Sequence, residues 1–333
     1  MSYKAFNLVD DFAPLTTAVN ETISITGSII STAANVKTFK NVASGSAAID
    51  LGGYWQSVYD ASPTASLSSP LLDISFGCAT GSVYNVAATT TSSQNEKVKI
   101  YRQWAAALLG NPDSTFTINS TARKELVFIS FRRNLAKDEI KKGTVGITIS
   151  STAPSQYTAS DQGAAINFQQ ALGGDYAPLK YNGTGSEVGQ VWYNAGVVIL
   201  HPDSTWGAVA VWSASMAKTL INMQYSGTIN QVVDGVRTHI EQINLNNQTN
   251  LQSSVYFCRA FNSEFNYSSN PTFVDSNGLI RVTSGSNILS TRTYITTIGL
   301  YDENDNLLAV GKVNRPVLKS PETEAVFRLR LDY

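Results

Sequence analysis

The last 80 residues constrain this chain more than any other part of it. Runs rich in β-branched and aromatic residues, Ser254–Arg259, Arg292–Tyr301, Leu307–Val313 and Ala325–Tyr333, are separated by turn residues, and that pattern writes an antiparallel sheet. The runs Thr293–Tyr301 and Leu307–Val313 flank the Asp/Asn-rich stretch Asp302–Asn306, which predicts a hairpin. In the last run Phe327, Leu329, Leu331 and Tyr333 form one face, while Arg328, Arg330 and Asp332 form the other. A strand patterned this regularly is expected to be tied into a sheet.

Composition bears on the surface. Of 333 residues only 15% are charged and 43% are apolar, against roughly 25% charged in ordinary soluble domains. So little charge leaves surface to be covered by neighbours. A net charge of −1 gives no electrostatic footprint for nucleic acid. Arg132-Arg133 and Lys137–Lys142, the latter interrupted by Asp138 and Glu139, read as solvated turns. No run reaches the ~20 apolar residues of a membrane span, and Met1–Asn7 shows no apolar signal segment. The two cysteines, Cys78 and Cys258, lie in apolar strand-like contexts and are expected to be buried, reduced and without function. The sequons at Asn119 and Asn182 read as surface turns.

The chain divides into four stretches. Residues 1–40 read as an extended arm with short strands, Glu21–Ile30 among them. Residues 41–155 read as a β-rich domain with strands at Ala47–Leu51, Leu71–Phe76, Leu126–Phe131 and Thr144–Ser150. Leu126–Phe131 is nearly continuous in apolar residues, so it is expected at the centre of a sheet. One helix interrupts them. Ser93 and Glu96 form a capping box, Val98, Tyr101, Ala105 and Leu108 recur at helical spacing, and Gly110 and Pro112 close the element. Residues 156–250 read as a loop and a helical insertion. The stretch 155–185 is polar and Gly-rich, Val188–Leu200 is a strand with Gly196 as a bulge, and two helices carry Met216, Leu220 and Met223, then Val232, Val236, Ile240 and Ile243. Residues 251–333 complete the sheet. The fold class is mainly β: antiparallel sheets of β-sandwich type with a few helices, the insertion included.

Little of this points to catalysis. His201 and His239 have no second His or Cys at metal-ligand spacing. Gly183, Gly185 and Gly189 have the wrong intervals for a nucleotide-binding turn and open a strand rather than a helix. Asp302–Asn306 lacks the glycine and the distal glutamate of a calcium loop, so a hairpin turn accounts for it. Trp192, Trp206 and Trp212 are candidates for stacking on sugars, with packing in a β core as the competing fate. No residue is assigned a catalytic, cofactor or metal role, and the chain reads as a non-enzyme.

Val313–Leu318 followed by Glu324–Tyr333 resembles the ending of baseplate wedge subunits of T-even-like contractile-tailed bacteriophages. Leu72–Gly77, Glu264–Pro271 and Tyr294–Tyr301 resemble stretches in structural proteins of large tailed phages of that type. The resemblance implies a β-rich virion subunit of the tail, assembled in the host cytoplasm and without enzymatic activity. It would pair with itself, as a dimer or higher oligomer, and with other phage tail proteins. The competing functional readings are a receptor- or carbohydrate-binding tail fibre module and a glycan-cleaving virion enzyme. Assembly contacts are expected on segments that leave the C-terminal sheet: the polar excursion 155–185, the arm through Tyr3, Phe6, Leu8, Phe12 and Leu15, and the insertion through Trp206 and Trp212. The arm's apolar residues have no period that would bury them locally, so a neighbouring subunit is their expected place.

Overall fold

The computed structural model describes residues 4–7, 9–40, 53–82, 92–150, 156–183, 185–202, 227–281 and 292–332. The protein is mainly β, with 51% strand, 15% helix and four helices among the described residues. It divides into two compact units, 19–249 and 1–18 with 250–333.

In chain order the elements of the first half are β1 (Phe12–Thr26), α1 (Gly27–Ser31), β2 (Val36–Lys40), β3 (Gly53–Tyr59), β4 (Pro70–Cys78), α2 (Ser92–Leu109), β5 (Phe116–Ile118), β6 (Thr121–Arg123), β7 (Glu125–Phe131), α3 (Arg133–Ala136), β8 (Glu139–Ile140) and β9 (Gly146–Ser150). The second half has β10 (Gln156–Ser160), β11 (Gln169–Ala171), β12 (Gly174–Tyr181), β13 (Glu187–Trp192), β14 (Val197–Leu200), α4 (Ile229–Thr238), β15 (Ile240–Ala260), β16 (Thr293–Tyr301), β17 (Leu307–Lys319) and β18 (Ala325–Asp332).

In the 19–249 unit β7 sits where its sequence demands. An apolar run that alternates neither face to water must be covered on both. It pairs antiparallel with β4 on one edge, Ile129 opposite Ile74, and with β14 on the other, Ile129 opposite Val198. The ladder continues from β4 through β3 to β2, and from β14 through β13, β12, β10 and β9 to β15. Helix α2 lies against β4 through its expected stripe, with Tyr101, Ala105 and Leu108 buried and Val98 half-buried. The Tyr101 hydroxyl donates to the Arg123 carbonyl at 2.7 Å and accepts from the Phe116 amide at 3.1 Å. Trp104 stacks on Phe128 at 5.5 Å. The approach is close because residue 77 is glycine: a Cβ there would meet the Tyr101 backbone nitrogen at 2.8 Å and the Lys97 carbonyl at 3.0 Å.

Helix α4 starts with a capping box. Thr228 accepts from the Gln231 amide, and Gln231 reaches back to the Thr228 amide. It buries Val232, Val233 and Val236. Its Arg237 donates to the Ile30 carbonyl at 3.2 Å and to Asp234 at 2.9 Å, and Asp234 also accepts from Gln56 of β3. A buried guanidinium is thereby paired rather than stranded.

The structure departs from the sequence reading in several places. The stretch 155–185 is not a loop among its described residues: β10, β11 and β12 are sheet strands. Alternation there runs through small residues, with Tyr157 and Ala159 inward in β10 and Ala177 and Leu179 inward in β12, which weakens the apolar signal. Val188–Leu200 is two strands, and Gly196 (φ 67°) closes the turn between them instead of forming a bulge. Ile240 and Ile243 belong to β15 and not to α4, because the helix ends at Thr238. Glu21–Ile30 ends as helix α1 from Gly27. Residues 12–26 form a strand paired to β15, in place of a loose arm. The run at Ala47–Leu51, the first helix of the insertion (Met216, Leu220 and Met223) and Ser93's side chain lie outside the described residues.

In the other unit β18 pairs with β15 over eight positions, from Ser253 opposite Asp332 to Ala260 opposite Ala325. The hairpin β16–β17 forms as expected, but as its own two-stranded sheet, so the anticipated single C-terminal sheet is two.

Two outcomes follow from this packing. Gly77→Ala should destabilise the protein by about 1–3 kcal/mol through overpacking at α2, measured by urea denaturation. Deleting 326–333 leaves seven of the eight paired positions on β15 without partners and should lower the melting temperature by roughly 4 °C or more. A truncated chain that melts like the full one would show that β18 is dispensable.

Candidate assembly surface

The unit of residues 1–18 and 250–333 holds most of the described apolar side chains that face water on strands. Its N-terminal segment is tied down within the chain. The Lys4 ammonium donates to the Arg259 carbonyl at 3.0 Å and to Glu264 at 2.8 Å, and sits 3.7 Å from the centroid of the Phe261 ring. The Lys4 hydrogen bond holds the Glu264 carboxyl below its ordinary range. Arg259 pairs with Asp11 at 3.2 Å, and the Phe257 amide donates to the Asp11 carbonyl at 2.8 Å. Phe6 and Phe12 both pack on Tyr256, at 5.7 and 5.5 Å.

Two of the expected interface residues are therefore brought together, on a ring of their own chain. Phe6 stays exposed, while Phe12 and Leu15 are half-buried in β1. Tyr3, Leu8, Trp206 and Trp212 lie outside the described residues. Trp192, the third tryptophan considered for sugar stacking, is fully buried and stacks on Tyr176 at 4.5 Å.

The hairpin is anchored at its base. Thr293 and Lys319 face each other across it and both are buried. The Lys319 ammonium donates to the Asn262 carbonyl at 3.1 Å, the Asn266 side chain at 2.9 Å and the Ser320 carbonyl at 2.8 Å. Three acceptors make a fully buried ammonium tolerable. The turn at the far end is built by Asp302, whose carboxylate accepts from the amides of Asn304 and Asn306 and from the Asn306 side chain. Those bonds, Asn306's first, hold its carboxyl low. Gly311 of β17 lies against Leu329 of β18.

Several outward positions near the two ends of the hairpin are apolar, with exposed Lys312, Asn314 and Arg315 between them. Tyr294 is 61% exposed and sits opposite the exposed Leu318. Leu308 is 68% exposed and Val310, two residues on and so on the same face, 52%. The sequence reading missed these residues. A signal existed: Leu307-Leu308 and Val317-Leu318 are adjacent apolar pairs, and in a strand one member of each must face away from the core.

Desolvation shifts Cys78, His201 and Lys97 of the 19–249 unit toward their neutral forms. Burial pushes the Cys78 thiol up to about 11 and the His201 imidazole down to about 4, the latter helped by Arg123. A thiol held protonated is a packing group and a poor nucleophile. His201 is 3% exposed. Cys258 is half-buried, short of the full burial expected, and neither cysteine is in a disulfide. Lys97 is buried as well. Desolvation lowers it to about 8, and its ammonium donates to the Gly227 carbonyl at 2.7 Å. Among the described residues there is no cluster of three or more His, Cys, Asp or Glu that could hold a metal, and no helix is long and apolar enough to cross a membrane.

No protein-family profile, no curated protein and no solved structure matches this chain. What the fold defines is a class: a mainly β protein built on large antiparallel sheets with four helices among the described residues.

His201 yields a pH test. Its folded pKa lies below the ordinary 6.5, so the unfolded chain takes up the proton first as the pH falls. Its contribution is intact above 6.5, is lost between 6.5 and about 4, and changes no further below that. At about 1.4 kcal/mol per pH unit the loss is roughly 3 kcal/mol. Urea denaturation at pH 7 and pH 4.5 should show this fall in the wild type and a smaller one in His201→Gln.

Proposed function

We propose that this chain is a structural subunit of a tailed-bacteriophage virion, placed in the tail baseplate, where it makes assembly contacts with itself and with other tail proteins. The observation that carries the reading is the outward apolar surface of β16–β17. A two-stranded hairpin is marginal by itself. Here Leu308 and Val310, and separately Tyr294 and Leu318, face water on it, and large apolar side chains exposed together on strands mark interaction sites. The low charge of the whole chain supports the same reading, as does the resemblance of residues 313–333 to wedge-subunit endings. The reading gives the chain no catalytic step. It also moves the contact from the N-terminal segment, which is occupied with Tyr256, Phe261 and Glu264, to the hairpin.

The double variant Leu308→Asp/Val310→Lys should fold, because both side chains are already in water. It should lose self-association in sedimentation velocity by tenfold or more. In phage complementation it should fail to enter particles, and gold labelling of the wild-type protein should fall on the tail. Incorporation of the variant at the wild-type level, or label on another part of the particle, would remove the proposal.

A further inference from the structure

Two buried polar atoms of β13 have no hydrogen-bond partner among the described residues: the indole Nε1 of Trp192 and Oε1 of Gln190. Trp192 is fully buried and Gln190 is 8% exposed. The first can only donate and the second can only accept. The assignment of the Gln190 carboxamide follows from its other end, where Nε2 donates to the Thr117 carbonyl at 2.8 Å. Two residues apart on one strand, Gln190 and Trp192 share a face. Both line a cleft of about 90 Å³ whose remaining walls include Leu109, Phe116 and the Tyr176 ring. The Tyr176 ring is stacked on Trp192 at 15°.

We infer that this cleft is a binding site for the acetamido group of an N-acetylhexosamine. An acetamido carbonyl accepts from Trp192 Nε1–H, and its N–H donates to Gln190 Oε1. Its methyl group falls to the apolar wall of Leu109 and Phe116. One small group thus supplies an acceptor, a donor and an apolar end, the three chemistries that the lining residues lack. A hydroxyl would pair the polar atoms and leave the apolar wall without a partner. A primary carboxamide from a protein side chain would turn its second N–H toward that wall, where an unpaired donor is costly. The cleft is too small for a pyranose ring, which stays at the mouth beside Tyr176. Both orphan atoms are shut off from water, so entry requires the Gln190 side chain to turn or Tyr176 to lift, and the pairing of the two atoms drives that movement. The inference is independent of the assembly reading.

The test is saturation-transfer NMR on the full chain, with N-acetylglucosamine and glucose as the probes. N-acetylglucosamine should bind in the millimolar range with the acetamido methyl most strongly saturated, and glucose should give no signal. Trp192→Phe, which keeps a ring and removes the donor, and Gln190→Leu should each weaken binding at least tenfold, with melting curves checking that each is folded. If one variant fails to fold, the other decides. Equal binding of both sugars, no saturation of either, or folded variants that bind like the wild type would overturn the site. The double hairpin variant should bind the sugar normally, so failure of this site and failure of the assembly reading are told apart.

Discussion

The 19–249 unit depends on the burial of both faces of β7. An apolar strand of that length is stable only if its edges are paired and its faces covered. Pairing with β4 and β14 answers the first need. On one face Phe128 receives Trp104 and Tyr101 from α2. Coverage at that distance in turn requires Gly77 on β4, because any side chain there would hold α2 away. The backbone of one residue thus decides how well the aromatic layer of another strand is sealed.

The other unit is held by polar anchors more than by a large core. Lys319 and Lys4, each with several oxygen acceptors or a ring, pin the hairpin base and the N-terminal segment. Such contacts are directional and local, and they leave the apolar side chains of the hairpin facing outward. In the 19–249 unit, by contrast, the buried thiol and imidazole are kept neutral by desolvation.

Much of this was legible in the sequence where a signal was local. The apolar run of β7, the stripe of α2 and the turn between β16 and β17 each declare themselves within about ten residues. What was hidden depends on distant partners. The stretch Asn244–Asn250 is polar and looks like loop, yet it is the middle of the 21-residue strand β15. Asn247 is buried because its side chain donates to the Leu135 carbonyl and accepts from the Glu21 amide, a match no local pattern records. The candidate surfaces divide in the same way. Phe6 and Phe12 were readable as apolar residues in need of a partner, but that the partner is Tyr256 was not. Outward apolar positions of the hairpin needed its register, and the orphan atoms of Gln190 and Trp192 needed the positions of every neighbour.

The Lys4–Glu264 bond joins residues 260 positions apart. A chain leaving the ribosome at ~5–20 residues per second makes the second partner about 13–50 s after the first. Throughout that interval Phe6 and Phe12 have no Tyr256 to cover them. The 19–249 residues can pair meanwhile, whereas the segment of Lys4, Phe6 and Phe12 must wait for partners at Tyr256 and Glu264. Closure of the 4–12 segment onto Tyr256 and Glu264 therefore comes late relative to pairing within residues 19–249, and aggregation during synthesis would be governed by how well those waiting aromatics are kept apart.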